Sequence, residues 1–215
     1  MRTATARRSR TDGDATRALI LEAAGQLFAE RGYRDTTSKA ICAKAGTNIA
    51  AVNYHFGSRD ELYLAVMHEV MHHLLNLEYL TRIAAGEASA EEKLEQMIDG
   101  LIHGLIEERS WHPRVWAREI LTPSPLIGRI LETETLPRVD IALPILSEIA
   151  GIAVDDPKLR YGLLGVMSPA LILMILNPEL PTPLQPLFRR PADEVAGHIK
   201  RFVLAGLRAL APPPG

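Results

Sequence analysis

Hydrophobic positions repeat with helical spacing along most of the chain. Apolar residues recur three or four positions apart, which is the period of an amphipathic α-helix, and no segment of any length alternates as a strand would. The pattern predicts an all-α protein. The clearest repeats are Leu19, Ile20, Ala23, Ala24, Leu27 and Phe28; Leu62, Val66, Val70, Leu74 and Leu77; Leu94, Met97, Ile98, Leu101, Ile102, Leu105 and Ile106; and Val195, Ile199, Phe202, Val203, Leu207 and Leu210.

Three short helices and the start of a fourth are predicted within about the first 60 residues. Glycines that favour helix ends mark the breaks, and residues that cap helix N-termini follow each of them. The glycines are Gly32, Gly46 and Gly57, and the candidate caps are Thr36 or Thr37, Thr47 or Asn48, and Ser58. A tight Ala-Gly-Thr turn joins the second and third helices. This is the helix-turn-helix arrangement, which places its second helix in the major groove of DNA.

The rest of the chain predicts further helices. Ser58 with Glu61 is a capping box that opens a long helix running through Leu77, and Ser89 with Glu92 opens another. Two prolines should kink or split the helical pattern of residues 126–149. The uncharged run of residues 161–177 is too short to cross a bilayer, so we expect it to be buried in the core or in a subunit interface.

Charge is distributed unevenly along the chain. Residues 1–62 hold 10 Lys and Arg against 7 Asp and Glu, whereas the remainder holds 14 against 19. A basic first part beside an acidic body indicates that the first part meets a polyanion. Residues 1–14 contain four arginines among Ser, Thr and Gly, and we expect a disordered basic tail. Two interpretations of the tail stay open: an arm that contacts DNA, or a solvated tail.

Residues 17–63 closely resemble the N-terminal DNA-binding domain of TetR-family transcriptional repressors. The resemblance rests on "ILEAAGQLFAERGYRDTT" and "AICAKAGTNIAAVNYHFGSRDELY". The Asn-Tyr-His-Phe-Gly-Ser sequence is similar to the CecR-like branch of the family. Asn53 stands where the family more commonly has an apolar residue, and Arg59 stands where Lys is usual, so no known operator is transferred to this chain.

The resemblance and the chemistry of the residues indicate the same DNA-binding surface. The Ala50 and Ala51 methyls suit thymine, and Asn53 is a candidate adenine reader. Hydroxyl, imidazole and cationic groups suit phosphate oxygens. Phe56 and Ile49 are expected to pack in the core. The complete set of expected DNA-binding residues is Thr37, Lys39, Thr47, Asn48, Ala50, Ala51, Asn53, Tyr54, His55 and Arg59.

A second motif, His-Glu-x-x-His, points to different chemistry. On a helix, His68 and His72 share one face and can bind zinc, with Glu69 as a general base. A zinc-dependent hydrolase or a metal sensor is therefore the alternative function. No third ligand follows at zincin spacing, and the surrounding pattern is helical. We expect histidines without a metal, no enzymatic activity and no cofactor.

Residues 61–215 hold more apolar material than a dimerisation stub needs. Apolar walls with a few polar groups describe a small-molecule pocket, and they equally describe a helical core with satisfied polar groups. The candidate ligand-binding residues are His103, Trp116, Glu119, Tyr161 and Met167.

The sequence therefore predicts an all-α protein in three parts: a disordered basic tail at 1–14, a helix-turn-helix DNA-binding domain at 15–60, and an effector-binding and dimerisation domain at 61–215. The resemblance implies a homodimeric repressor that binds a palindromic operator in double-stranded DNA and is released by a small-molecule effector. Its dimer would form through the last two helices. With no signal peptide pattern and a single cysteine, Cys42, a cytoplasmic protein that does not associate with membranes is expected.

Overall fold

A computed structural model describes residues 3–106, 110–176 and 178–210, with side chains from residue 13 onward. No strand occurs in this part of the chain, which confirms the all-α class. None of its helices is long and apolar enough to span a bilayer. The helices are α1 (Thr3–Asp35), α2 (Ser38–Ala45), α3 (Ile49–Phe56), α4 (Arg59–Leu74), α5 (Leu77–Ala85), α6 (Ala90–Ile106), α7 (His112–Leu121), α8 (Ile127–Ile130), α9 (Leu136–Ala150), α10 (Leu159–Ile175) and α11 (Ala192–Arg208), with a π-helical segment at Leu131–Thr135 and a 3-10 turn at Gln185–Arg189.

The caps of the helix-turn-helix are now assigned. The Thr37 side chain accepts a hydrogen bond from the Ala40 N–H at 3.2 Å, and the Asn48 side chain accepts one from the Ala51 N–H at 3.0 Å. Gly46 ends α2 in a left-handed backbone conformation (φ 64°). A residue with a Cβ adopts this conformation only at a cost in free energy. The turn between α2 and α3 is therefore set by local chemistry.

Thr36 stabilises the end of α1. The backbone of α1 departs from helical geometry at Gly32 (φ 79°). The buried Thr36 hydroxyl lies against this break, 2.8 Å from the Gly32 carbonyl oxygen and 3.2 Å from the Leu27 carbonyl oxygen. The capping role at α2 belongs to its neighbour Thr37, which directly precedes the first residue of that helix.

The first helix begins earlier than the sequence predicted. Residues 1–14 were expected to be disordered, but α1 starts at Thr3, so helix replaces the expected disorder over residues 3–14. Alanine and arginine are good helix formers, and extending an existing helix avoids the cost of nucleation. Residues 1 and 2 lie outside the described residues.

The helix predicted from Ser58 through Leu77 is divided in two. α4 ends at Leu74, and the Asn76 side chain accepts a hydrogen bond from the Tyr79 N–H at 2.9 Å to cap α5. Asparagine is among the strongest N-caps, and its local bond competes with continuation of the helix. The helical periodicity crosses the break without interruption, so apolar spacing alone did not reveal it.

Pro137 and Pro144 have different effects. Pro137 is the second residue of α9, where the π-helical segment gives way to α-helix. The helical residues run from Ile127 to Ala150 without a gap, so the predicted kink or split is observed as a change of helix type. Proline lacks the N–H that continues an α-helical ladder, and its ring crowds the preceding turn. Pro144 lies inside α9, which continues to Ala150.

Buried apolar side chains form one continuous cluster from Ile20 in α1 to Leu207 in α11. The helix-turn-helix is therefore not isolated from the rest of the protein. Helix α4 joins the two regions: it starts beside α3 and contributes buried residues along its length to this common cluster.

Candidate functional site

The outer face of α3 is exposed. Ala50, Asn53 and Tyr54 point away from the core, and 85% of Tyr54 is accessible to solvent. Among the described residues, no hydrogen bond occupies the Asn53 amide or the Tyr54 hydroxyl. Small methyls beside a donor-acceptor amide suit contact with base edges, and a tyrosine hydroxyl suits a phosphate.

The capping residues retain donors for a phosphate. Because the Thr37 oxygen and the Asn48 Oδ1 accept bonds from their own helices, the Thr37 O–H and the Asn48 Nδ2 hydrogens remain to donate outward. Lys39 is exposed on α2, and Thr47 is half-buried in the turn. Asn48 and Thr47 lie at the N-terminal end of α3, whereas Thr37 and Lys39 lie at the start of α2.

Arg59 is engaged within the protein. Its Nη1 donates to the carbonyl oxygens of Thr36 at 2.9 Å and Tyr33 at 3.2 Å. Its guanidinium carbon lies 4.1 Å from the centre of the Tyr33 ring, a cation-π contact. Arg59 therefore joins the α1–α2 connection to the start of α4, and its contact with phosphate stays a prediction.

Three residues of α3, namely Ala51, His55 and Ile49, also lie in settings that differ from the expected ones. Ala51 packs partly against the core, and His55 is half-buried with its ring edge-on to Tyr54 at 5.0 Å. These two are less available to DNA than predicted. Phe56 packs against the core as expected, whereas Ile49 is 51% exposed and does not.

The His-Glu-x-x-His residues have other partners. His68 Nδ1 lies 3.0 Å from Glu134 Oε1, and His72 Nε2 lies 2.7 Å from Asn76 Nδ2. Within the described ranges, no group of three or more His, Cys, Asp or Glu residues is placed to hold a metal ion. The geometry gives the zinc alternative no support.

An apolar cavity lies among α4, α5, α6, α9, α10 and α11, with Trp116 of α7 at its wall. The space in this cavity that protein atoms do not fill is about 1000 Å³. This volume includes the solvent at the cavity opening. Apolar side chains make up nearly all of its wall, as in small-molecule sites. The lining residues are Met71, Leu75, Leu80, Leu94, Met97, Ile98, Leu101, Ile102, Trp116, Thr135, Arg138, Val139, Ala142, Leu163, Val166, Met167, Ala170, Leu171, Met174 and Ile199.

Two of the five predicted ligand-binding residues line this cavity, namely Trp116 and Met167. The other three do not, which is a correction. His103 Nε2 faces Asp193 at 3.1 Å, and 71% of Tyr161 is exposed. Glu119 is buried in the contact between α7 and α4.

Sequence reasoning missed the polar residues of the cavity, Thr135 and Arg138. Arg138 is 6% exposed, and its Nε donates to the Leu75 carbonyl at 2.6 Å, at the end of α4. Its Nη1 lies 3.2 Å from Glu134 Oε2. Burial lowers the pKa of Arg138, while the Glu134 carboxylate acts in the opposite direction. The i, i+4 pairing of Glu134 with Arg138 was the available signal.

Polar contacts join α7 to α1 and α4, and we name this region the α7 interface. Arg118 donates to the Ala29 and Glu30 carbonyls near the end of α1, both at 2.7 Å. The Tyr63 hydroxyl of α4 donates to Glu119 at 2.6 Å. The pKa of Tyr63 is raised, mainly by burial and to a smaller extent by its hydrogen bond to the Glu119 carboxylate. The Tyr63 hydroxyl therefore stays protonated and acts as a donor.

Glu134 provides a second connection to α4. Its carboxylate lies between Arg138 at the cavity and His68 on α4. Outside this contact, Arg129 of α8 forms an ion pair with Glu61 at 2.7 Å. Of the predicted capping box, the Ser58 hydroxyl oxygen accepts a hydrogen bond from the Glu61 N–H at 3.1 Å, while the Glu61 carboxylate is paired with Arg129. The cavity and the helix beside α3 are therefore joined through side-chain contacts.

Two family models match the chain. The model "Bacterial regulatory proteins, tetR family" matches residues 20–66, and "HTH-type transcriptional dual regulator CecR, C-terminal domain" matches residues 90–210. The second match alone covers more than half of the chain.

Curated relatives and a solved structure agree with these matches. The transcriptional activator FasR of Mycolicibacterium smegmatis is 34% identical over 161 residues, 74% of this chain and 72% of that protein. The dual regulator CecR of Shigella flexneri is 45% identical over 53 residues, 25% of this chain and 23% of that protein. The chain spans less than two thirds of the length of several other relatives as well.

The regulator FadR of Bacillus subtilis, solved with stearoyl-CoA, shares the fold with a TM-score of 0.68 at 16% identity, covering 88% of this chain and 98% of that one. Taken with the helix-turn-helix and the helical second domain, these findings establish that the chain belongs to the TetR family of DNA-binding transcriptional regulators, with a CecR-type C-terminal domain.

Proposed function

We propose that two copies of this chain bind a palindromic operator as a repressor, and that a small apolar effector releases them. The observation that carries the proposal is the outer face of α3, where Ala50, Asn53 and Tyr54 are exposed without internal partners. A helix-turn-helix reads bases with such a face, and a symmetric dimer presents it to successive major grooves.

Exposed apolar side chains on the last two long helices support the dimer. Tyr161 and Leu164 of α10 are 71% and 62% exposed, and Phe202 of α11 is 74% exposed. Large apolar side chains on two adjacent helices are typical of a subunit interface. Phe202→Glu is expected to produce a monomer in analytical ultracentrifugation and to abolish operator binding, because one recognition helix alone contacts one half-site.

The apolar cavity supports an effector site. It is joined to α4 through Arg138, Glu134 and His68, and α4 begins beside α3. A ligand that favours one arrangement of these contacts would shift the population of DNA-binding conformations. FadR is described with stearoyl-CoA, which supports a ligand with an apolar body.

Binding to DNA from upstream of the chain's own gene, beside a scrambled duplex at about 0.15 M salt, tests the proposal. We expect a strong preference for the upstream DNA. Asn53→Ala should cost about 1–3 kcal/mol of binding free energy at one base pair and relax specificity there. The matched control is Gln96→Ala, another exposed amide on a helix, which should bind as the wild type does.

Equal binding to both duplexes would instead indicate a protein that coats DNA without an operator. A reporter gene under the bound promoter then gives the sign of regulation: deletion of a repressor raises expression. Lower expression on deletion would show activation, as the name of FasR states for that relative.

A further inference from the structure

The Thr135 hydroxyl lacks the hydrogen bond that comparable hydroxyls make. Thr81, Thr133 and Ser168 each donate to the carbonyl oxygen four residues earlier, at 2.8, 3.0 and 2.6 Å. Thr135 Oγ1 is buried and has no partner among the described residues. A buried hydroxyl without a partner is costly, so such a group is expected to have a use.

The Thr135 hydroxyl belongs to the π-helical segment. The carbonyl four residues earlier, that of Leu131, accepts a hydrogen bond from the Leu136 N–H and none from this hydroxyl. Pro137, the next residue, cannot donate a backbone hydrogen bond, so the ladder widens before α9 begins. Thr135 lies at the end of this segment and lines the cavity.

Arg138 lines the same cavity three residues later, on the same side of the helix. Its Nε and Nη1 are occupied by the Leu75 carbonyl and by Glu134. Within the described part of the chain, Nη2 makes no hydrogen bond. Two polar residues with unused donors, Thr135 and Arg138, therefore line an otherwise apolar cavity.

The charges here favour an oxygen over a cation. Arg138 supplies a permanent positive charge, and the one nearby carboxylate, that of Glu134, is shared between Arg138 and His68. An oxygen acceptor adds hydrogen bonds to unused donors. An ammonium group in the same place would meet two donor groups and a like charge, which costs free energy in a poorly solvated site.

We infer that the effector has an apolar body ending in a carboxyl-derived oxygen, either a free carboxylate or an ester or thioester carbonyl. This oxygen accepts hydrogen bonds from Thr135 Oγ1 and Arg138 Nη2. The inference rests on the proposed function, because it names the ligand chemistry of the proposed effector cavity. Thr135, at the end of the π-helical segment, and Arg138 are thus the residues of the cavity that determine specificity.

Three probes with the same eight-carbon tail test the inference: octanoate, methyl octanoate and octylammonium. Quenching of tryptophan fluorescence reports binding, because Trp116 lines the cavity. Octanoate and methyl octanoate should bind at least about tenfold more tightly than octylammonium. Their oxygen can accept the two proposed hydrogen bonds, whereas the ammonium group can accept neither. The order of the first two probes distinguishes a free carboxylate from a carbonyl.

Thr135→Val is the decisive variant. It keeps the side-chain shape and removes an unsatisfied hydroxyl, so the fold should be as stable as the wild type or more stable. Affinity for the two oxygen-bearing probes should fall about threefold to tenfold, while octylammonium binding stays unchanged. Thr133→Val is the matched control, since that exposed hydroxyl already donates to Arg129, and its affinities should equal the wild-type values.

Arg138→Lys keeps the charge but removes the planar set of donors, and should weaken octanoate binding while its thermal unfolding midpoint confirms that it folds. The inference would be overturned if the three probes bound with equal affinity and Thr135→Val bound them as the wild type does. A failure of all three probes to bind would also overturn it. Wild-type operator binding, measured in the same samples without probe, reports on the proposed function separately. Loss of discrimination among probes with specific DNA binding intact contradicts the ligand inference alone.

Discussion

Tyr54 on α3 and Tyr63 on α4 are the same residue type in opposite settings. Tyr54 is 85% exposed, and its hydroxyl has no described partner. Tyr63 is 2% exposed, donates to Glu119 and packs edge-on against Phe28 at 4.6 Å. The first is positioned to contact another molecule, and the second holds the DNA-binding unit against α7.

The outer face of α3 and the α7 interface differ in the same way as regions. Polar groups on the α3 face have donors and acceptors without partners among the described residues, whereas those of the α7 interface are paired with other groups of the protein. Substitutions on the α3 face should therefore reduce DNA binding without reducing stability. Substitutions in the α7 interface should reduce stability and the coupling between the two regions.

The largest expected effect is that of Glu119→Ala in the α7 interface. The substitution leaves the Tyr63 hydroxyl and the Ser124 N–H and hydroxyl without their acceptor. We expect the free energy of unfolding to fall by about 2–4 kcal/mol, measured by urea denaturation. Tyr63→Phe, which removes one donor and leaves the carboxylate bonded to Ser124, should cost less. An unchanged urea midpoint for Glu119→Ala would contradict the role of this contact.

Arg59→Ala sharpens the comparison, because the sequence placed Arg59 on the DNA surface and the structure pairs its guanidinium with backbone carbonyls. We expect the free energy of unfolding to fall by about 1.5–3 kcal/mol, since two charge-assisted hydrogen bonds and a cation-π contact are lost. The slope of log affinity for DNA against log salt concentration should not change. A shallower slope would restore Arg59 as a phosphate contact.

His112 should make stability depend on pH. Its ring is stacked between Trp111 at 3.8 Å and His73 at 4.0 Å. Burial, followed by His73, lowers its pKa to about 4, and Glu22 opposes this. Because the unfolded chain binds a proton near pH 6.5 and the folded chain does not, stability is full above pH 6.5 and falls as the pH drops toward 4.

The loss at His112 should reach about 1–2 kcal/mol after allowance for its partial exposure to solvent. Urea midpoints at pH 7 and pH 5 measure it. His112→Phe keeps the stacked ring and removes the titration, so the difference between this variant and the wild type isolates His112 from the carboxylates. Parallel pH dependence in both proteins would contradict the prediction.

The smallest expected effect is that of Lys39→Ala on the exposed surface of α2. Loss of one phosphate contact should make the salt dependence of DNA binding shallower by about 0.9 in log-log slope, equally for all sequences. The urea midpoint should not change. Lys158→Ala, an exposed lysine just before α10, is the control and should leave the slope as it is.

Much of the DNA-binding unit could be predicted because its signals are local. Gly46 ends α2 through its own backbone, and Thr37 and Asn48 cap helices that begin at the next residue. The cavity could not be predicted in the same way. Tyr161 and Met167 lie six residues apart on α10, and which of them faces inward depends on the helices that pack against it.

By itself, the sequence determined the all-α class, the helix-turn-helix and the position of most helix ends, because periodicity, caps and breakers act within a few residues. The tertiary structure alone decided that Arg59 binds carbonyls of the α1–α2 connection, 23 and 26 residues away. It also decided that Glu119 meets Tyr63 across 56 residues. Arg59 and Glu119 carry no local sign of these partners, since the partners are chosen by how distant helices pack.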